Sequence, residues 1–391
     1  MELTFLLTLL VAGLASAFMA WVIGAGSSGA TPFAPAVGAD AIPVMKAALV
    51  VGVLGFAGAA LQGGNVSETV GNGLILGTTL STTAVIVALV TAATLMAVGI
   101  FTGIPIATAF TVTGAIIGAG LALGGRPAWA RYGLIGGLWL LAPVFTGSVA
   151  YALASLLPRE DVPERLSLAA LSALVGIIAA NVRFGPLGQG DAARSIAATA
   201  TTFLSGPSIV WAVAVTLLMA AVLAAGAYRA VAVDEEQALR RFLLGLGSLV
   251  AFSAGGSQVG LAVGPLLPLL DAVDVSKTAI LVGGGLGLLA GSWTGAPRMI
   301  KSISQDYASL GPRRSISALF PAFVIAQVAV LLGVPISFNE IIVSAIMGSG
   351  LAVGGSGGVS RSKLLTTVGA WAGSFLLAFA VGFGALWAVG G

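Results

Sequence analysis

Neither histidine nor cysteine occurs in these 391 residues, and only 8% of them are charged. Without cysteine there is no disulfide, no thiolate metal ligand and no thiol nucleophile, and the redox compartment leaves no mark. Without histidine the chain lacks the commonest metal ligand and the side chain that titrates nearest neutrality. Zinc chemistry of the usual kind and histidine-triad catalysis are therefore excluded. A net charge of +3 is too small to favour nucleic acid. What the chain does have is 58% hydrophobic residues, too many for the polar remainder to cover a soluble globule. It belongs in a lipid bilayer.

Apolar runs of about 18 residues or more span the roughly 30 Å of hydrocarbon as helices. Such runs lie near 3–23, 44–62, 74–100, 132–156, 166–182, 207–230, 241–255, 278–295, 315–333 and 364–389. The alternation of a membrane β-barrel is missing. Shorter apolar pieces rich in Gly, Pro, Ser and Thr fall near 26–42, 103–123, 257–270 and 334–352. These are too short or too interrupted to cross alone, so re-entrant or discontinuous helices are expected. Ala15-Ser16-Ala17 resembles a signal-cleavage site, but no basic segment precedes the apolar run and another span follows closely, so the first helix is expected to stay. Most of the basic loops also carry acids, and orientation is left unassigned.

Two segments are diverged copies of one pattern, GIPIATAFTVTGAIIGAGLA at 103–122 and GVPISFNEIIVSAIMGSGLA at 333–352, identical at nine of twenty positions. Ser67 to Val70 aligns with Ile300 to Ile303, Val37-Gly38 with Val263-Gly264, and Trp139 with Trp371, at nearly constant offset. The expected organisation is a first transmembrane repeat at 1–157, a connecting region at 158–237 with one or two spans and a polar loop, and a second repeat at 238–391. The fold class expected is an all-α polytopic membrane protein, with two inverted-topology repeats, broken or re-entrant helices and about 10–12 transmembrane segments. Duplicated broken helices imply a transporter whose site lies where the breaks meet near the midplane.

Pro105 and Pro335 each follow Gly-x ahead of an apolar run, which fits the first turn of a helix. Free N–H groups and the partial positive charge of a helix N-terminus, with hydroxyls from Thr108, Thr111 and Ser337, make a cradle for an anion. Gly24 to Thr31 and Ser253 to Gln258 read as a second kind of break, adding Ser27, Ser28, Ser257 and Gln258, with Asn339 beside them in the second copy. Small hydroxyl residues also occur simply where membrane helices pack closely. An ionised side chain in hydrocarbon is costlier, which singles out Glu340 inside the second copy. Glu68 and Lys301 occupy equivalent places in the two halves, and two readings stand side by side: a pair across the repeat interface, or two surface charges.

These segments resemble the inorganic phosphate transporter (PiT) family of permeases. Phe252 to Pro265 is similar to the family's second Gly-Ala-Asn-Asp-Val-Ala-Asn motif, Ser67 to Gly71 to its Ser-Glu-Thr-Ile segment, and Pro105 to Phe110 and Pro335 to Glu340 to its paired Pro-Val-Ser-Thr-Thr-His motifs. The chain departs from the family where it has Ser27-Ser28 and Ser257-Gln258 in place of Asn-Asp, and Phe110 and Glu340 in place of His. The missing aspartates put sodium coupling in doubt. Phosphate keeps a proton near neutral pH and sulfate does not, so the loss of acceptors leans toward sulfate, and Ala251 to Gly255 resembles the sulfate-permease branch; Glu340 restores an acceptor.

The resulting expectation is secondary active transport of an inorganic oxyanion by alternating access, phosphate first and sulfate as the alternative, in a multi-pass plasma-membrane protein. Thr108, Thr111, Ser337 and Asn339 would face Ser27, Ser28, Ser257 and Gln258 across the anion. Glu340 would carry the coupling proton or hold the coupling cation, and Glu68, Lys301, Pro105 and Pro335 would act in gating. No cofactor is expected, the coupling ion stays open between proton and sodium, and a homodimer is what the resemblance implies. An anion channel or a non-transporting sensor would use the same lining. No acid, base and nucleophile set at plausible depth suggests an enzyme.

Overall fold

In hydrocarbon every backbone N–H and C=O must find its partner inside the protein, so the long apolar runs close on themselves as helices. The structure, a computed structural model, describes residues 3–189, 192–270, 273 and 275–390. The first run of elements is α1 (Leu3–Gly26), α2 (Ala34–Gly38), α3 (Val44–Gln62), α4 (Gly64–Asn72), α5 (Thr82–Thr102), α6 (Thr108–Ala122) and α7 (Trp129–Leu156). A connector follows with α8 (Glu164–Asn181), a hairpin of β3 (Arg183–Gln189) and β4 (Ala192–Ser195), α9 (Ile196–Ala200) and α10 (Ser208–Val233). The second run is α11 (Glu235–Val263), α12 (Leu267–Leu270), α13 (Lys277–Thr294), α14 (Ala296–Gln305), α15 (Pro312–Leu332), α16 (Phe338–Gly354) and α17 (Arg361–Gly390). Between α4 and α7, β1 (Ile75–Leu76) pairs antiparallel with β2 (Arg126–Pro127).

Among the described residues nine helices are long and apolar enough to cross a membrane, and a tenth crossing results if α13 and α14, bent by 65°, count as one. That is the lower bound of the ten to twelve expected. The short helices α6 and α16 do not cross alone. The connector holds two spanning helices, and the stretch expected as a polar loop forms the β3–β4 hairpin.

Corresponding helices of the two runs pack reciprocally: α1 lies on α13 as α11 lies on α3, and α6 lies on α17 as α16 lies on α7. Side-by-side contacts give the direction of each helix. Along α3, Leu49 accepts from the Trp293 indole at 3.1 Å, Phe56 and Ala59 face Gly285, and Gly63 faces Leu281, so α3 and α13 run antiparallel. Along α11, Ala251, Gly256 and Val259 face Gly55, Gly58 and Gly63 in turn, so α11 and α3 run parallel. Equivalent helices thus point opposite ways through the membrane, which makes the repeats inverted.

Close approach explains one misread break. Ser253 to Gln258 stays inside the continuous helix α11, because its glycines serve packing: a side chain at Gly255 would run into the Gly55 carbonyl. The other break of that kind does occur, since α1 ends at Gly26, and the breaks before α6 and α16 are set by Gly103 and Gly333, which end α5 and α15 in left-handed conformations of φ 71° and 64°. Their equivalence extends to the next bond, Ile104 N–H to Gly99 O at 3.0 Å and Val334 N–H to Ala329 O at 2.9 Å.

The inversion also overturns the pairing of Glu68 with Lys301. α4 leaves the end of α3 and α14 leaves the end of the antiparallel α13, so the two residues stand at opposite ends of the molecule. Glu68 instead meets Lys277 at 3.7 Å and accepts from Asn72 at 2.7 Å. Near the same end Asn65 donates to Val330 O at 3.3 Å, while at the other end Arg298 donates to Phe101 O at 3.5 Å. There too Arg313 bridges Glu164 and Glu235 at 2.9 and 2.8 Å, tying α8, α11 and α15 together. Just outside the spans, partial burial works to raise the Asp306 carboxyl, but hydrogen bonds from Lys363 and Ser302 outweigh it and hold it below its usual range.

Candidate functional site

Residues 104–107 and 334–337 are non-helical links, and α6 and α16 begin at Thr108 and Phe338. Pro105 and Pro335 therefore do not occupy a first helical turn, as expected from sequence; they sit three residues earlier, where each carbonyl takes a hydrogen bond from the opposite half. The Trp139 indole donates to Pro335 O and the Trp371 indole to Pro105 O, both at 2.8 Å. A proline carbonyl has no helix partner in such a link, and a buried indole needs an acceptor. One bond satisfies both, twice.

Asn339, 1% exposed in the first turn of α16, fixes the centre. Its amide nitrogen donates to Gly26 O at 3.1 Å and to Ile106 O at 2.7 Å. It thereby joins the end of α1 and the link before α6 to the start of α16. Gln258 on α11 donates to Ile336 O at 3.4 Å, bringing the fourth element in. Ser27 directly follows Gly26, Thr108 lies two residues past Ile106, and Ser337 directly follows Ile336, so their side chains converge on one region.

Among the described residues, the following buried atoms find no hydrogen-bond partner: Ser27 Oγ, Thr108 Oγ1, Ser257 Oγ, Gln258 Oε1, Ser337 Oγ, Asn339 Oδ1 and Glu340 Oε2. Leaving one such group unpaired costs about 1–3 kcal/mol, so a cluster of them is a site awaiting a polar guest rather than ordinary packing. Neither α6 nor α16 has a side-chain cap, and their first-turn N–H groups face the same region. Each helix end adds roughly half a positive charge. Hydroxyl donors, uncapped N–H groups and two converging helix ends favour a small anion.

Two expected members of the site are committed elsewhere. Thr111 lies 3.0 Å from both Ala107 O and Ser374 Oγ, and Ser28 reaches back to Ile23 O at 3.4 Å. Thr113, 2% exposed, also has an unpartnered hydroxyl, but it lies about half a turn past Thr111 and so on a different face of α6 from Thr108. One unexpected member appears. Gln62, 5% exposed, donates to Arg183 O at 3.0 Å, leaves Oε1 unpartnered and abuts Gly256 beside Ser257. Gln62 immediately precedes the Gly63-Gly64 junction of α3 and α4, a polar residue at a helix joint that the repeat alignment passes over. Its other side lines a cleft of about 1040 Å³ shared with Asn65, Asn181, Arg183, Lys277 and Gln327. Of the residues nominated from sequence, Glu68 alone lines that cleft; the nominated Ser, Thr, Asn, Gln and Pro residues and Glu340 are buried. Lys301 sits on α14 at the far end, outside the cluster.

The sequence profile of the phosphate transporter family matches residues 6–382, nearly the whole chain. The chain belongs to the phosphate transporter family. Within it, the chain is 26% identical over 361 residues to a protein of Thermococcus kodakarensis that carries a provisional phosphate-permease name, covering 86% of each. It is 24% identical over 381 residues to inorganic phosphate transporter 2-1, chloroplastic, of Arabidopsis thaliana, covering 86% of this chain and 65% of the relative. A solved structure, the sodium-dependent phosphate transporter, superposes with a TM-score of 0.81 at 23% identity, over 98% of this chain and 99% of the other. That likeness establishes the fold, and the family places this chain among multi-pass integral membrane transporters.

Proposed function

We propose that this chain carries inorganic phosphate across the plasma membrane by alternating access, with the anion held between the first turns of α6 and α16. The observation that carries this reading is the convergence of unpartnered hydroxyls on two uncapped helix ends. Membership of the phosphate transporter family supports it, as do the names of its relatives. The two halves act as the inverted repeats 1–157 and 238–391, hinged on the connector 158–237.

Ser27, Thr108, Ser257 and Ser337 supply donors to the anion, with the N–H groups at 108–110 and 338–340. Phosphate reaches them from the cleft past Gln62 and along α11, where Gln327 donates to Ser253 at 2.6 Å one turn before Ser257. Coupling falls to Glu340, buried to 2% with Oε2 unpartnered. No carboxylate stands at Ser27-Ser28 or Ser257-Gln258 to neutralise a metal cation, so the proton is the coupling ion that fits.

Basic residues set the orientation. Lys46, Arg159, Arg165, Arg229, Arg240, Arg241, Arg298, Arg313, Arg314 and Lys363 lie at the end opposite the β3–β4 hairpin, and far fewer lie at the hairpin end. Positive loops stay in the cytoplasm, which puts the hairpin and the cleft outside.

Uptake of radiolabelled phosphate into proteoliposomes, with proton and sodium gradients imposed separately, tests the reading. Accumulation driven by an inward proton gradient, with counterflow against unlabelled phosphate, is expected. Phosphate flux without counterflow would identify a channel, and accumulation driven by sodium alone would remove the proton as the coupling ion.

A further inference from the structure

The donors in this site are hydroxyls and backbone N–H groups, but the amides present the opposite chemistry. An amide's oxygen and nitrogen are told apart by their neighbours, and here the neighbours decide. The Asn339 amide touches two carbonyl oxygens, Gly26 O and Ile106 O. Only an NH₂ group can face both, since an oxygen there would oppose two lone-pair acceptors. Oδ1 is thereby turned away from them, buried and without a partner among the described residues. The same argument holds for Gln258: its nitrogen faces Ile336 O, which leaves Oε1 buried and unpartnered. Two carbonyls of the protein backbone thus lock one acceptor, and a third locks the other.

A carbonyl oxygen can only accept. Beside a fully deprotonated oxyanion it meets another acceptor, gains no hydrogen bond and loses its water. Beside an oxyanion that still carries a hydroxyl it receives that proton. We propose that Asn339 Oδ1 and Gln258 Oε1 read the proton on the bound anion, so that the site takes proton-bearing tetrahedral oxyanions, phosphate and its arsenic analogue, and excludes sulfate and selenate of the same shape. The inference rests on the anion site under Proposed function and names its selectivity device. It also reverses the lean toward sulfate drawn from the missing aspartates: the acceptors lost at the Asn-Asp positions return as amide oxygens oriented by backbone carbonyls.

Discrimination of this kind is large, because the wrong ligand leaves buried acceptors unpaired. Monohydrogen phosphate, with one proton, satisfies one of the two amide oxygens and dihydrogen phosphate, with two, satisfies both. Against the doubly protonated anion, sulfate should bind at least roughly 30-fold more weakly. The test uses purified protein and proteoliposomes in parallel near neutral pH. Labelled phosphate bound to the detergent-solubilised protein is challenged with excess arsenate, sulfate or selenate, and uptake is measured with the same competitors. Arsenate should displace phosphate, whereas sulfate and selenate should not.

Gln258→Met, which keeps length and removes the acceptor, should raise the phosphate KM about tenfold, the equivalent of roughly 1.4 kcal/mol, and let sulfate compete. Gln258→Glu, which keeps acceptors only, should retain the exclusion of sulfate. Equal displacement by sulfate and arsenate in the unaltered protein would overturn the proposal without any variant. So would a Gln258→Met protein that leaves both the phosphate KM and sulfate exclusion unchanged. If phosphate and arsenate bind selectively but no flux occurs, the selectivity stands and the transport reading falls. If neither oxyanion binds, both fall.

Discussion

The two broken helices share a backbone frame and differ in what they carry on it. α6 and α16 each start after a Gly-x-Pro-Ile link, each lack a side-chain cap, and each have the proline carbonyl held by a tryptophan of the other half. At the third position of the helix, however, α6 has Phe110, stacked on Trp139 with ring centroids 4.0 Å apart, and α16 has the buried carboxyl of Glu340. One position earlier Ala109 corresponds to Asn339. On the proposed reading, duplication has kept an anion cradle and gathered the coupling and selectivity chemistry on one side. The first half would supply hydroxyl and N–H donors and an apolar wall; the second would supply donors and the amide and carboxyl oxygens contributed by the two broken helices.

Glu340→Gln breaks this comparison most severely. Gradient-driven accumulation of phosphate and its pH dependence should both vanish, a loss of roughly 100-fold or more if proton transfer is the coupling step, while exchange of phosphate at equal pH on both sides persists. Phe110→Leu at the equivalent place should leave the pH profile as it was. Unchanged pH dependence in Glu340→Gln would remove that residue from the mechanism. A gentler break compares donors: Thr108→Val and Ser337→Ala should each weaken phosphate about tenfold, since hydrogen bonds to charged groups are worth about 1.5–3 kcal/mol. A tenfold effect from one and none from the other, in the same uptake assay, would show that a single helix end holds the anion. The smallest effects come from the shared frame. Trp139→Phe and Trp371→Phe should each lower thermal stability in detergent by about 1–3 kcal/mol, and by nearly equal amounts, because each leaves one buried proline carbonyl unpaired. Clearly unequal losses would mean that the frame is less symmetric than its bond lengths.

Much of this arrangement is readable from residues alone. The repeat at 103–122 and 333–352 announces the broken helices because glycine favours a left-handed turn and the proline two residues on has no N–H to carry the helix forward. Buried Ser27, Thr108, Ser257, Ser337 and Asn339 stand out as polar residues in apolar surroundings. What stays hidden is whatever depends on which partner arrives. Ser253 to Gln258 looks like a break, but a glycine that admits a neighbouring helix and a glycine that ends its own read alike until Gly55 is seen against it. Thr111 suits the site from sequence, and only Ser374, from α17, shows that its hydroxyl is engaged elsewhere. The Glu68–Lys301 pairing fails for a similar reason: opposite charge and equivalent position suggest a partner, whereas inversion sends equivalent positions to opposite membrane faces. Gln62 escapes notice because its meaning comes from the hairpin, which has no counterpart in the repeats.

Antiparallel α3 and α13 have a mechanical consequence. Two halves folded head to tail can trade shapes, and a trade would close the cleft at Gln62 and open its mirror at the other membrane face without any contact type that the molecule does not already use. The rim of that mirror is already drawn, since Arg298 reaches toward Phe101 where Asn65 reaches toward Val330. At each doorway a side chain of the short helix that follows the crossing helix reaches across to a backbone carbonyl of the helix that ends beside it, so each rim is latched by a single bond that a swing of the halves would have to release.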